Sequence, residues 1–370
     1  MSTKKESPHL IRAYGVHVLV VIAGAVLVVA AYLGLVSNFS VTYAEQAISL
    51  PQLSHPPLDT IDYDTRLLVL AHVATSSPWY AAYLQGTTTA STTTPRPLWP
   101  ARAVYPADSR ALLPFNRIVA YYGNFYSKKM GVLGEYPEEV VLEKLQQEAA
   151  AWEAADPTTP VLPAIEYIDV TAQAAGGKDG KYRLRMPDSQ IDKAIEMAKK
   201  VDGIVILDIQ VGLSTVQDEL PLLDKYWALP QVHLALDPEF AMHDGTPPGR
   251  VIGTMDAADI NWAADYLANV VRQNNLPPKL LVIHRFTEEM VTGYKRIEPL
   301  PEVQIVMQMD GWGSPQRKIG TYNHVIYPEP VQFTGLKIFY KNDLKEDPPR
   351  LLTPKEILNL TPSPIFIQYQ

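Results

Sequence analysis

Five carboxylates stand at or just beyond the C-terminal ends of short apolar runs: Glu166, Asp208, Asp237, Glu239 and Asp310. Like charges gathered in one cavity push one pKa up, while a neighbouring His284 or Arg285 pulls another down. A carboxyl that keeps its proton beside one that has lost it can cleave an acetal. The first protonates the leaving oxygen, and the second attacks the carbon or activates water. Asp208 and Asp237 are expected to be the essential pair, with Glu239 or Asp310 assisting. Asp237 and Glu239 are two residues apart in LALDPEF, so an extended strand would turn both to one side, with Pro238 stiffening the chain between them. Tyr122, Trp312 and Tyr340 also end or follow apolar runs and are candidate platforms for stacking on rings, and Glu166, Gln210, His284 and Arg285 complete the expected substrate-binding set. Each acid has a plainer alternative use, pairing with Arg, Lys or backbone amides to hold a loop without reacting.

These residues need a frame that brings separate strand ends together. Eight apolar runs follow Asn116, at 117–122, 161–165, 203–207, 232–236, 279–283, 303–309, 335–339 and 364–367. Helix signals fall between several of them: Pro137 opening 137–154, Asp caps opening 188–200 and 259–274, and a Thr cap opening 353–358. Apolar strands separated by helices belong to a parallel sheet buried on both faces, and eight such units predict an α/β fold closed as a (β/α)8 TIM-like barrel. A doubly wound open sheet is the alternative. The chain stops almost at the eighth strand, and the segment 66–113, whose run RLLVLAHV (66–73) reads as a strand, is expected to cover the gap outside strands eight and one. Residues 242–259 carry three glycines and two prolines and suit a lid or substrate loop, within which Asp256 and Asp259 read as turn and helix-cap residues. The Gly-rich stretch 175–180 reads as a hairpin or exposed loop.

Upstream, Val16 to Val36 is an unbroken apolar run apart from His17, long enough for one transmembrane helix. Lys4, Lys5 and Arg12 precede it and the next charge is Glu45, so the positive-inside bias leaves the N-terminus in the cytoplasm and exports the remainder. A cleaved signal peptide is the competing reading. The expected organisation is a cytoplasmic segment 1–15, an anchor 16–36, a Pro-containing stalk 37–58, an extension 59–115 packed on the barrel, and the barrel itself from 116 to 370. Within the extension the tract 86–95 is low in complexity and hydroxyl-rich, with seven Ser/Thr among residues 87–94. With no cysteine, a lipid-anchored lipoprotein and a disulfide framework are both excluded.

A formal charge of -8 without a clustered basic face excludes nucleic acid as a partner. No Gly-x-Ser-x-Gly elbow, P-loop, dinucleotide fingerprint or His-Glu-x-x-His pair occurs. No cofactor and no resident metal are expected. A hard cation held by Asp208, Asp237, Asp310 and His284 is the nearest alternative, and zinc has little support without cysteines or spaced histidines.

The exported barrel, the acids ending strands three, four and six, and the aromatic strand ends together resemble TIM-barrel glycoside hydrolases over residues 116 to 370. The resemblance is architectural. The best-known clan of such enzymes ends strand four in Asn-Glu and strand seven in Glu, whereas here strand four ends in Asp237-Pro238-Glu239 and strand seven in Tyr340, so that pair is not carried over. The resemblance implies a membrane-anchored barrel acting outside the cytoplasm on a cell-wall or extracellular polysaccharide. A non-catalytic glycan-binding or structural subunit of a cell-surface assembly is the alternative.

Overall fold

The computed structural model describes residues 56–86, 96–101 and 104–370. Eight parallel strands carry the fold: β1 (Arg117–Gly123), β2 (Val161–Ala172), β3 (Ile204–Ile209), β4 (Val232–Leu236), β5 (Lys279–Arg285), β6 (Val303–Met309), β7 (Phe333–Ile338) and β8 (Phe366–Tyr369). Each pairs with the next, and β1 pairs with both β2 (Tyr122 opposite Glu166) and β8 (Ile118 opposite Phe366). The sheet therefore closes on itself, which decides for the barrel and against the open sheet.

The closed sheet sorts its residues by parity. One set packs outward against the helices, including Val119, Ile165, Val205, Leu234, Leu281, Ile305 and Leu336. The other points inward and forms a second apolar cluster: Ile118, Ala120, Ala164, Ile206, Ala235, Val282, Val306, Phe333 and Phe366. Small side chains dominate the middle of this interior, at Ala120, Ala164, Ala235 and Gly335. A Cβ on Gly335 would meet the Phe366 carbonyl oxygen at 2.9 Å and Gln308 Oε1 at 3.2 Å, so the waist of the barrel has no spare room there.

Among the described residues, the helices used below are α1 (Thr60–Leu70), α2 (Glu138–Ala155), α3 (Asp188–Lys199), α4 (Ala257–Asn274) and α5 (Pro354–Leu358). The last four fall where the sequence placed them, but not every expected cap does: Pro137 and Pro187 precede α2 and α3 without a side-chain cap, so Asp188 is the first residue of α3 and not its cap. The cap of α4 is Asp256, which accepts from Ala258 N, and not Asp259, which lies in the first turn; Asn275 ends that helix in the left-handed region at φ 49°. Thr353 and Glu356 form a reciprocal capping box at α5. The end of β2 folds back against a short strand, Arg183–Arg185, so the Gly-rich stretch between them is the turn of a hairpin.

The stretch read as a first strand is instead the second half of α1. Asp59 accepts from Ile61 N and Asp62 N, and Asp62 pairs with Arg66 one turn on at 3.0 Å; a helix start is thus written just upstream of the apolar run. Its buried face, Tyr63 and Leu67, does not lie outside strands eight and one. It joins Leu113 in the inward-facing cluster, and Gln304 of β6 fixes the segment by accepting from Leu112 N and Leu113 N and donating to Leu113 O. The extension is a plug in the N-terminal end of the barrel. The apolar run 16–36, most of the stalk and the tract 87–95 lie outside the described residues; among those described, no helix is long and apolar enough to cross a membrane.

Because Tyr63 is wholly buried in this plug, Tyr63→Ala is expected to lower unfolding free energy by about 3 kcal/mol in chemical denaturation, as large-to-small core changes do. Exposed Ile61 on the same helix should tolerate Ala within roughly 0.5 kcal/mol. Equal effects at the two positions would show that the helix is laid on the surface.

Candidate active site

Above the small-residue waist the interior turns polar on every strand. Tyr122, Asp208, His284, Gln308, Lys337 and Gln368 are the last inward positions of their strands, Glu166 stands opposite Tyr122 midway along the longer β2, and Asp237 follows β4 directly; all are buried. His284 is the hub. Its Nδ1 lies 2.8 Å from Asp310 Oδ2 and 3.2 Å from Asp237 Oδ1, and its Nε2 lies 3.2 Å from Glu166 Oε1. Lys337 Nζ sits 3.2 Å from Asp310 Oδ1 and 3.8 Å over the Tyr122 ring. Gln210 donates to Asp237 Oδ2 at 2.7 Å and to the Tyr122 hydroxyl at 3.3 Å, and its own carbonyl accepts from Ala172 N.

This cluster forms the floor of a cleft of about 340 Å³. Glu239 and Asp310 reach the cleft directly, with Tyr122, Gln210 and Lys337 beside them and Phe240, Phe286, Trp312 and Phe339 as apolar walls. Glu239 arrives by a route different from the alternating strand expected: the chain turns through one short 3-10 segment, Pro238–Phe240, which brings Glu239 over Asp237. Its Oε2 is buried and has no hydrogen-bond partner. Trp312 is 44% exposed at the rim, on a loop pinned by Gly313 N donating to Asp343 Oδ1 at 2.9 Å, while Asp343 is itself paired with the buried Lys318 at 3.1 Å.

The floor separates proton affinities. Burial, then the charges of Asp237 and Asp310, holds the Glu239 carboxyl well above the ordinary glutamate value, so it keeps its proton. Burial works the same way on Asp310, but Lys337 and His284 outweigh it and bring that carboxyl below 3.8. Burial opposes a charge on His284, yet Asp237, Asp310 and Glu166 overcome it and lift the imidazole well above 6.5. Asp208 is pushed well above 3.8 by burial and by Asp237, and neither of its oxygens has a hydrogen-bond partner.

Most of the residues singled out in the sequence converge here, with two exceptions. Arg285 follows His284 by one residue and so faces the opposite side of the barrel, where it donates to the carbonyls of Thr287 and Glu288 and pairs with Glu329. Tyr340 lies outside the acid cluster, stacked on Tyr369 at 5.3 Å between ring centroids, with its hydroxyl donating to Glu148 of α2 at 2.6 Å. It borders a neighbouring cleft with Lys128, Lys129 and Lys341. Lys337 and the aromatic walls Phe240, Phe286 and Phe339 were not anticipated. Lys337 was legible in principle: a lysine two residues after Gly335 within an apolar strand has to share the glycine's side, which is the interior.

No family model matches the sequence, and no curated protein does. Among solved structures the chain is similar to a hyperthermophilic endo-beta-1,4-glucanase in complex with substrate (9% identity, 69% of this chain and 89% of that one, TM-score 0.41). It is also similar to a GH5 xyloglucan-specific endo-beta-1,4-glucanase from a metagenomic library (12%, 66% and 81%, TM-score 0.37) and to the cellulose synthase subunit Z of Clostridioides difficile (10%, 69% and 91%, TM-score 0.35). These are likenesses of TIM-barrel architecture, without a shared family-specific motif.

The folded protein holds the Asp208 proton more tightly than the unfolded chain does. The corresponding stability is complete below the ordinary aspartate value and is lost as pH climbs through the raised folded-state value. Asn imitates the protonated acid and cannot ionise. With chelator present, Asp208→Asn is expected to melt close to the parent near pH 4 and above it near pH 8. A melting difference that stays constant across that range would mean that Asp208 is ionised in the fold.

Proposed function

We propose that this chain is a glycoside-hydrolase-like barrel, anchored in a membrane through residues 16–36 and acting outside the cytoplasm on a cell-wall or extracellular polysaccharide. One observation carries the reading: Glu239 and Asp310 line a single open cleft with proton affinities driven apart, the first upward and the second downward. Such a split is what acid-assisted cleavage of a glycosidic bond requires. Glu239 donates its proton to the leaving oxygen. Asp310, kept ionised by Lys337 and His284, attacks the anomeric carbon or activates water, and Trp312 offers a rim face for a sugar ring. Asp208 and Asp237, expected to be the essential pair, take supporting parts beneath the cleft, where Asp237 helps keep Glu239 protonated. The anchor is supported by the apolar run and the basic residues before it, and an extracytoplasmic site suits a polymer that does not cross membranes.

Glu239→Gln and Asp310→Asn are each expected to reduce release of reducing ends from a responsive polysaccharide by about 10²–10⁴-fold, the usual weight of a general acid or base, with unfolding free energy changed by at most about 2 kcal/mol. Wild-type turnover at either substitution would end this assignment.

The pH profile of kcat/KM follows from the same two groups. Its acid limb should lie below 3.8, where Asp310 gains a proton, and its alkaline limb well above 4.5, where Glu239 loses one. A single limb in place of two would remove one partner. The ion pairing of Asp310 with Lys337 and His284 favours a second reading, a glycan-binding barrel without turnover. Retention on a polysaccharide column with no product released would select it.

A further inference from the structure

The barrel interior gathers more carboxyl groups than its donors and cations answer. Elsewhere this protein satisfies a buried carboxylate fully: Glu219, wholly buried beneath the hairpin, receives Arg183 at 2.8 Å, Arg185 at 2.6 Å and the Ser214 hydroxyl at 2.5 Å. Asp208 receives nothing. Both of its oxygens are buried and unpartnered, as is Glu166 Oε2, in a place where an unanswered carboxylate is costly. Carboxylate oxygens of Glu166 and Asp208 and a ring nitrogen of His284 all lie within 4.8 Å of one another, a span that an ion bound at roughly 2.1–2.4 Å from each can bridge with small side-chain shifts.

The far side of the imidazole strengthens the case. His284 Nδ1 is held by Asp310 at 2.8 Å and Asp237 at 3.2 Å, and these two are in turn held by Lys337 and Gln210. With Nδ1–H committed to carboxylates, Nε2 is the nitrogen left to serve as a ligand, and it faces Glu166. A carboxylate fixing the tautomer of a histidine whose other nitrogen faces a further carboxylate, here Glu166 with Asp208 close by, is the outer support that metal-bound histidines need.

We propose that Glu166, Asp208 and His284 Nε2 form a divalent-cation site beneath the cleft, with Asp310 and Asp237 orienting the imidazole. Two hard oxygens and one imidazole nitrogen fit a first-row transition ion such as Mn²⁺ or Zn²⁺ better than Ca²⁺ or Mg²⁺, which favour all-oxygen shells. Binding displaces the proton shared between Nε2 and Glu166 together with the one held by Asp208, and leaves Nδ1–H in place. The ion takes the place of the proton that the buried Asp208 carboxyl otherwise holds, and gives both of its oxygens a partner. The proposal goes beyond the hydrolytic reading and does not depend on it, since a glycan-binding barrel would hold the ion equally well.

The test uses the full untagged chain, stripped with chelator and dialysed separately against Mn²⁺, Zn²⁺ and Ca²⁺. One equivalent of Mn²⁺ or Zn²⁺ per chain by elemental analysis, with a raised melting temperature, is the expected result. Asp208→Asn and Glu166→Gln should each lose that equivalent while melting cooperatively in chelator, and Glu239→Gln, outside the ligand set, should retain it. Asp310→Asn should weaken affinity roughly 10–100-fold by calorimetric titration, as loss of an orienting carboxylate does. That response separates this site from an adventitious surface one. No ion retained by the wild type, equal retention by Asp208→Asn, or a preference for Ca²⁺ would overturn the proposal. All of these readouts are independent of turnover, so a failure of glycan hydrolysis leaves them unaffected.

Discussion

A carboxylate can persist inside a barrel only if something answers its charge, and here the answer is shared through one imidazole. His284 has no exposure to solvent and meets carboxylates on both nitrogens, with Glu166 on one side and Asp310 and Asp237 on the other. Those acids come from the middle of β2, from just past the end of β4 and from just past the end of β6, so a single ring on β5 ties together three other strands. Lys337 from β7 adds a second cation against Asp310, and Gln210 closes the circuit from Asp237 back to Tyr122 of β1. Networks of this kind rigidify when satisfied and are expensive when broken, because the low-dielectric surroundings strengthen every pairing and every vacancy alike. The position of each acid at the cleft is therefore set by the floor beneath it more than by its own loop.

The two ends of the barrel solve different problems. At the N-terminal end, Tyr63, Leu67 and Leu113 continue the apolar interior, and Gln304 satisfies the chain that crosses beneath it. At the other end the polar ring opens into a cleft. This separation follows the usual division in such barrels, with stability concentrated at the bottom and variable chemistry at the top. It lets the upper end hold uncompensated charge, a destabilising arrangement that the apolar lower half and the helix-packed outer face offset.

Much of the frame was legible in the sequence. All eight runs became strands, with boundaries shifted by at most a few residues except at β2, which continues into the hairpin. Thr353 caps its helix as its context indicated, whereas the helix expected to open at Asp259 opens three residues earlier on Asp256. What the sequence concealed was sidedness. A strand buried on both faces is apolar at every position, so alternation gives no sign of which residues look inward; Arg285 was thus placed with His284, although adjacent residues must face opposite ways. Lys337 is hidden in the same way, since it lies inside an apolar run and only its two-residue spacing from Gly335 marks it as inward-facing. The helix at 60–70 was missed because its apolar end resembles a strand, and two of the deciding residues, Asp59 and Asp62, stand upstream of the run that begins at Arg66. The turn at Pro238 likewise delivers Glu239 to the cleft by a path that strand periodicity does not describe.

The narrow waist of the interior bears on how such a molecule can change over time. At Gly335 there is no slack for a larger side chain, because even one added carbon runs into the Phe366 carbonyl and the Gln308 amide. Growth at that level is closed to drift, so descendants of this chain can acquire new chemistry mainly by exchanging members of the polar ring above it or by remodelling the loops around the cleft. The waist thereby acts as a fixed datum, separating a part of the molecule that lineages can rewrite from a part they must inherit intact.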